Sequence, residues 1–146
     1  MTPDDVPEGP LLVDTDVVSF WTAGSPLGSK FSTLVAGREL AISFATYGEL
    51  LANGYRNRWG QSRIKRLQTH LHRLVVIPYN ESIVVTWAQM HAKLSGHLHK
   101  GGTNDLWTAA CAISIKPCMP IVTNNLTDFR AISTEFPRLQ IVHPDL

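Results

Sequence analysis

Leu11-Leu12-Val13-Asp14-Thr15-Asp16-Val17-Val18 sets an apolar triplet directly against two aspartates and the start of a second apolar segment, continued by Phe20 and Trp21. The triplet has the length of a buried strand. Asp14, Thr15 and Asp16 offer the capping side chains with which a helix begins. The same alternation recurs along the chain. Further strands are expected at 40–44, at 75–77 closed by Pro78, at 121–123 and at 140–142. Helices are expected at 29–36, stopping at Gly37, and from a Thr46 cap through Glu49, Leu50 and Leu51 to near Trp59-Gly60. Others are expected at 62–74, 82–95 and 104–116, with a short one around 128–132. Residues 24–28 read as a loop, as does a polar Gly-containing stretch leading to Thr103. Strands alternating with helices predict an α/β domain with a mostly parallel sheet. In such sheets ligands bind beyond the carboxyl ends of the strands, which selects Asp14 and Asp16 after one strand and Thr123, Asn124 and Asn125 after another.

The composition sets the bounds around this unit. The chain has 146 residues, 44% hydrophobic and 17% charged, with 10 Gly and 9 Pro, values that exclude collagen-like, coiled-coil and disordered chains. The length suits one domain. No apolar run reaches the roughly 18 residues needed to span a bilayer. Residues 1–10 carry three prolines and three acids and read as a flexible leader before a domain at 11–146; they lack the basic-then-apolar form of a signal peptide. With only Cys111 and Cys118, a reducing cytoplasm is the expected compartment. A core thiol and a loop thiol are favoured over a disulfide.

The net charge is +1, yet the charges are unevenly placed. No acid lies between Glu49 and Glu81, and six of the 13 Lys and Arg fall in residues 56–73. Ile64, Leu67, Leu71 and Leu74 form one helical stripe there, with Arg63, Arg66, His70 and Arg73 beside it. Such a face is ordinarily just solvated; its functional reading is phosphate contact by Arg56, Arg58, Arg63, Arg66 and Arg73. The acids, by contrast, occupy strand ends and helix starts. Asp14 follows a strand, Glu49 lies in an Ala/Leu helix, Asp105 opens a helix and Asp128 lies just past a strand. Taken singly, these are a cap, a solvated residue, a second cap and a turn residue. Gathered at one sheet edge, two such charges about 5 Å apart would repel by roughly 3 kcal/mol at an effective dielectric of about 20. Protons or cations must relieve that repulsion, and hard oxygen ligands favour Mg²⁺ or Mn²⁺.

The ordered set Leu11-Leu12-Val13-Asp14-Thr15-Asp16, Thr46-Tyr47-Gly48-Glu49-Leu50, Asn104-Asp105-Leu106-Trp107-Thr108-Ala109-Ala110 and Thr123-Asn124-Asn125-Leu126-Thr127-Asp128-Phe129 resembles the PIN-domain pattern. The compact length and the Thr-x-Asn-x-x-Asp-Phe ending look most like VapC-type toxins of toxin–antitoxin pairs. The resemblance spans about residues 11–143. It implies a three-layer domain and a metal-dependent endoribonuclease that cuts structured RNA, such as tRNA or rRNA, and is silenced by a small antitoxin. On that resemblance Asp14, Glu49, Asp105 and Asp128 are the catalytic, metal-holding acids, with Asp16, Asn104, Thr123 and Asn125 as supporting polar groups. It also implies a homodimer. The antitoxin would be received around residues 20–34 and 47–59, its tail crossing the acidic site with a Lys or Arg. The ten-residue leader departs from the pattern, because many members begin almost at the first strand.

The implied reaction is hydrolysis of an RNA phosphodiester by a water that one or two divalent ions activate and orient. No motif positions a His/Lys or His/His pair to activate the 2′-hydroxyl. His91, His97 and His99 lack Cys or a second pair at ligand spacing, so they read as surface or loop residues rather than a zinc site. Trp21, Trp59, Trp87 and Trp107 are spread singly along helices and read as packing residues. Three other functions compete. One is a PIN nuclease outside any toxin–antitoxin pair, and another is a non-catalytic PIN-like binding module. The third is a haloacid-dehalogenase-type phosphatase with Asp14 as nucleophile and Asp16 as acid. Against the phosphatase, Val18 stands where that motif has Thr, and no Lys with a following acidic pair appears.

Overall fold

The structure is a computed structural model that describes residues 1–94, 96–98 and 103–146. Its strands are β1 (Leu11–Val13), β2 (Leu40–Ser43), β3 (Val75–Ile77), β4 (Ile121–Val122) and β5 (Ile141–Val142). The helices are α1 (Thr15–Ala23), α2 (Pro26–Leu34), α3 (Phe44–Arg56), α4 (Gln61–Leu71), α5 (Glu81–Leu94), α6 (Thr103–Ser114) and α7 (Leu126–Glu135). All the strands pair in parallel, in the order β3-β2-β1-β4-β5.

Helices cover both faces, so β1 is buried along its whole length and reads as an unbroken apolar run. Alternate strand residues supply two cores. Leu12, Ala41 and Ile121 face Ile83, Met90, Leu106 and Phe129 of α5, α6 and α7. Leu11, Val13, Ile42 and Val122 face Val17, Phe31, Leu50 and Leu67 of α1–α4. The result is the expected three-layer α/β domain. The sheet runs from β1 to β2 and β3, then crosses back to β4 on the other side of β1. The carboxyl ends of β1 and β4 therefore flank the topological switch point, where a ligand crevice forms.

Local starts and stops differ from the expectation at several points. The expected loop at 24–28 already contains the first turn of α2. Ser25 caps it through the Leu27 amide, and Pro26 at the first position has no amide to leave unsatisfied. Ser43, not Thr46, caps α3, its Oγ accepting from the Thr46 amide at 3.1 Å. That helix ends at Arg56 rather than near Gly60, and α7 is longer than the short helix expected at its position. Residues 1–10, expected as a leader, are placed against the domain. Pro3–Asp5 forms a 3-10 turn, and Val6 is buried in the core beside α1–α4. Arg38 donates to the carbonyls of Val6, Pro7 and Gly9, while the amino terminus donates to those of Pro144 and Leu146.

Cys111 is buried, Cys118 half-buried, and both are free thiols. Trp87 and Trp107 stack with centroids 4.5 Å apart, in keeping with the packing role expected of them. His91 packs beside Trp87, and His99 lies outside the described residues. Among the described residues no helix is long and apolar enough to cross a membrane.

Candidate metal and nuclease site

Asp14 ends β1 and caps α1, so one side chain serves both elements. Its Oδ1 accepts from the Thr15 amide at 2.8 Å and its Oδ2 from the Thr123 hydroxyl at 2.8 Å. It is 5% exposed. Burial, together with the charges of Asp16 and Asp105, holds this carboxyl well above the ordinary carboxylate range, against the downward pull of those two hydrogen bonds. Asp16, in the first turn of α1, accepts from the amides of Val17 (2.7 Å) and Asn124 (3.1 Å). Burial pushes it up to about 6, with Glu49 adding to the rise.

From the opposite side, α6 brings in Asp105. Burial comes first, then the hydrogen bond and charge of Asp128, then the charges of Asp16 and Glu49; together they push it up to about 7. Asn125 fixes this side. Its amide Nδ2 donates to Asp105 Oδ2 at 3.0 Å and to Asp128 Oδ2 at 3.1 Å, while its Oδ1 accepts from the Asp128 amide. Its own amide donates to Thr123 Oγ1 at 3.0 Å, which ties it to the group that holds Asp14. Glu49, on α3, accepts from Thr15 Oγ1 at 3.1 Å, and the same hydroxyl contacts Thr46.

Asp14, Asp16, Glu49, Asp105 and Asn125 thus line one cavity of about 360 Å³ at the switch point. Asp128, 4% exposed, sits behind Asp105 instead of lining the cavity. Asn104 is exposed and lines none of the wall. Thr15, Ser19, Phe20 and Asn53 also line it and went unrecognised in the sequence. Ser19 follows Asp16 by three residues and Asn53 follows Glu49 by four, so helical spacing from those acids was the available signal.

Among the described residues the only ion pair is Lys93–Glu135, so no Lys or Arg is paired with a cavity carboxylate. In the same residues no three Asp, Glu, His or Cys side chains stand close enough to grip a metal ion as they are placed. The donor set still matches a hard divalent cation: only oxygen donors, three of the carboxylates desolvated, and short of positive charge.

The arginines of residues 56–73 lie elsewhere. Arg56 donates to Asn53 Oδ1 at the rim of the acidic cavity. Arg63 and Arg66 line a neighbouring cavity with Thr22, Trp59 and His70. Arg73 lines a more apolar one with Val18, Trp21 and Leu74. Arg58, in a left-handed conformation with φ 55°, closes α3.

Fold and site together define a parallel α/β domain with an acidic cleft at its switch point. Residues 11–133 match the PIN domain family, and the chain belongs to that family. Ribonuclease VapC1 of Haemophilus influenzae (strain R2866) is 25% identical over 124 residues, covering 84% of this chain and 91% of that relative. Two solved complexes contain chains of the same fold. In VapBC2 from Rickettsia felis, bound to a DNA fragment from their promoter, the TM-score is 0.72 at 22% identity, covering 91% of this chain and 97% of that one. In VapBC-1 from nontypeable Haemophilus influenzae it is 0.70 at 23% identity, covering 94% and 99%.

Proposed function

We propose that this chain is a divalent-metal-dependent endoribonuclease that acts on structured RNA, such as tRNA or rRNA, as the toxin of a VapBC-type pair. The observation that carries the reading is the gathering of desolvated Asp14, Asp16 and Asp105 with Glu49 at the switch point, with no paired cation among the described residues. Asp14 and Asp105 would hold Mg²⁺ or Mn²⁺, with Glu49 and Asp128 completing the shell directly or through water and Asp16 as a further oxygen donor. When bound, the ion activates water and neutralises charge at the reacting phosphate.

The chain's own groups supply orientation. Thr123 and the Thr15 amide fix the two oxygens of Asp14, so its carboxylate keeps one direction. Asn125 spans Asp105 and Asp128 and holds two like charges in register. In the proposed hydrolysis a water oxygen bonds to phosphorus as the bond to one ribose oxygen breaks, the leaving oxygen taking up a proton.

The name of the Haemophilus relative, a ribonuclease, supports the substrate class, and the VapBC complexes support a small antitoxin as partner. Exposed Leu27 and Tyr55 lie in the two segments assigned to receive it. A cytoplasmic homodimer completes the reading. A PIN nuclease outside any such pair is the nearest rival, and an antitoxin gene beside this one would separate the two. The family membership displaces the phosphatase alternative.

Cleavage of total cellular RNA by wild type and Asp14→Asn, with Mg²⁺, Mn²⁺ or chelator, tests the proposal. Discrete cuts that need metal and fall by about 10²–10³-fold or more in the variant are expected. Cleavage that persists in chelator would contradict the metal role, and folded wild type that cuts nothing under any metal would contradict the nuclease.

A further inference from the structure

Beside the acidic cavity lies a second cavity of about 250 Å³, and its chemistry is the opposite. It is lined by Trp59, Arg63, Arg66, Leu67 and His70 of the α3–α4 corner and by Thr22 of α1. Resting on the nuclease reading, we propose that this cavity is a substrate subsite, which seats a nucleotide of the RNA strand next to the one being cut. The platform of Trp59 and the Arg63 guanidinium laid over it supports its base, and the charges of Arg63 and Arg66 meet its phosphates.

The cavity is built by the backbone. Arg58 adopts the left-handed conformation just past α3, and the amides of Arg58 and Trp59 close onto the carbonyls of Tyr55 and Gly54, both at 3.0 Å. That turn swings Trp59 back over the end of α3. Gly54 leaves it room: a Cβ there would come within 2.7 Å of Ile64 Cδ1 and 3.0 Å of Trp59 Cε3. Arg63, in the first turn of α4, then lays its guanidinium over the Trp59 ring, 3.8 Å from the centroid. A guanidinium laid over an aromatic ring makes a flat, cationic platform, which matches the two parts of a nucleotide, one flat and one anionic.

Three features favour a polyanion passing from one cavity to the other. First, among the described residues none of Arg56, Arg58, Arg63, Arg66 or Arg73 has an acidic partner, and no acid lies between Glu49 and Glu81. Second, the two cavities share α1: Ser19 lines the acidic one and Thr22, three residues on, lines the basic one, about 4.5 Å further along the axis. Third, Asn53 in the acidic wall accepts from Arg56 through Oδ1. Its amide NH₂ is thereby left to donate, in a wall otherwise dominated by acceptors. An RNA strand needs such donors beside the carboxylates and cations beyond them.

The test is binding, read separately from cleavage. A labelled oligouridylate of about 12 nucleotides, within the usual site size, is titrated by anisotropy into full-length wild type in chelator at several salt concentrations. Trp59→Ala is expected to weaken binding on the order of ten-fold, and Trp59→Phe to restore most of it. Arg63→Gln with Arg66→Gln is expected to lower the salt slope by about 1.4, from about 0.7 for each single-strand phosphate. Arg138→Gln, an exposed cation before β5 at the opposite sheet edge, leaves both quantities unchanged and reports non-specific charge effects.

Unchanged affinity and slope in the groove variants overturn the subsite, as does equal loss in Arg138→Gln. So does a polyglutamate probe that binds with the same arginine and Trp59 dependence while RNA does not, which would make the cavity a protein-docking site. The two readings fail separately. Metal-dependent cleavage indifferent to these variants removes the subsite alone, whereas groove-dependent binding without cleavage removes the nuclease alone.

Discussion

Two cavities share helix α1 and hold charge in contrasting ways. The acidic one holds Asp14, Asp16 and Asp105 largely out of water, fixed from behind by Thr15, Thr123 and Asn125, and neighbouring charges raise all three. The basic one keeps its arginines in water, steadied by one ring and free of opposing acids among the described residues. Burying like charges costs folding free energy, whereas displaying them on a solvated face costs little. A folded chain tolerates the first arrangement only through protons, or through a cation that arrives later. The second requires neither.

This contrast has its largest expected consequence in the dependence of stability on pH. Asp105 stands at about 7 and Asp16 at about 6 when folded, above their ordinary value of 3.8. Groups raised in this way add stability that is fully present below the unfolded value and lost as pH rises through the folded ones. Metal-free wild type is therefore expected to lose melting temperature between about pH 4 and 7 relative to Asp105→Asn. Above pH 7 the variant should melt higher, on the order of 5 °C. Added Mn²⁺ should close the gap by stabilising wild type. Parallel melting curves across that range would break the account of the acidic side.

A smaller effect sharpens the basic side. Arg58 occupies a left-handed position that glycine takes without strain, and a side chain there costs about 1 kcal/mol. Arg58→Gly is expected to raise chemical-denaturation stability by about that amount while leaving the acid site's pH dependence untouched. Equal or lower stability would mean that the Arg58 side chain makes contacts that offset the strain.

Much of this was legible in the chain. Strand ends are short and local, so Asp14, Thr123 and Asn125 could be placed at the sheet's carboxyl edge from sequence spacing alone. What escaped depends on neighbours distant in sequence or on backbone turns. Ser19 and Asn53 join the wall only because α1 and α3 pack side by side at that edge. Asp128 falls behind Asp105 because Asn125 bridges the two and Asp105 takes the cavity-facing place. The start of α2 was hidden because Ser25-Pro26 serves equally as a loop or as a cap with proline at the first helical position. The contacts of residues 1–10, to Arg38 and to the carboxyl terminus, were not legible because their partners lie far along the chain.

The central claim is that the acidic cavity takes a divalent cation through carboxylates that repel one another without it. Calorimetric titration of the full chain with Mn²⁺ near neutral pH, repeated in buffers of different ionisation enthalpy, tests it most directly. Wild type is expected to bind and release protons, because Asp14 and Asp105 must ionise as the cation enters, and Asp14→Asn is expected to lose most of that binding. Absence of binding by wild type, or binding that is unchanged in Asp14→Asn, would contradict it.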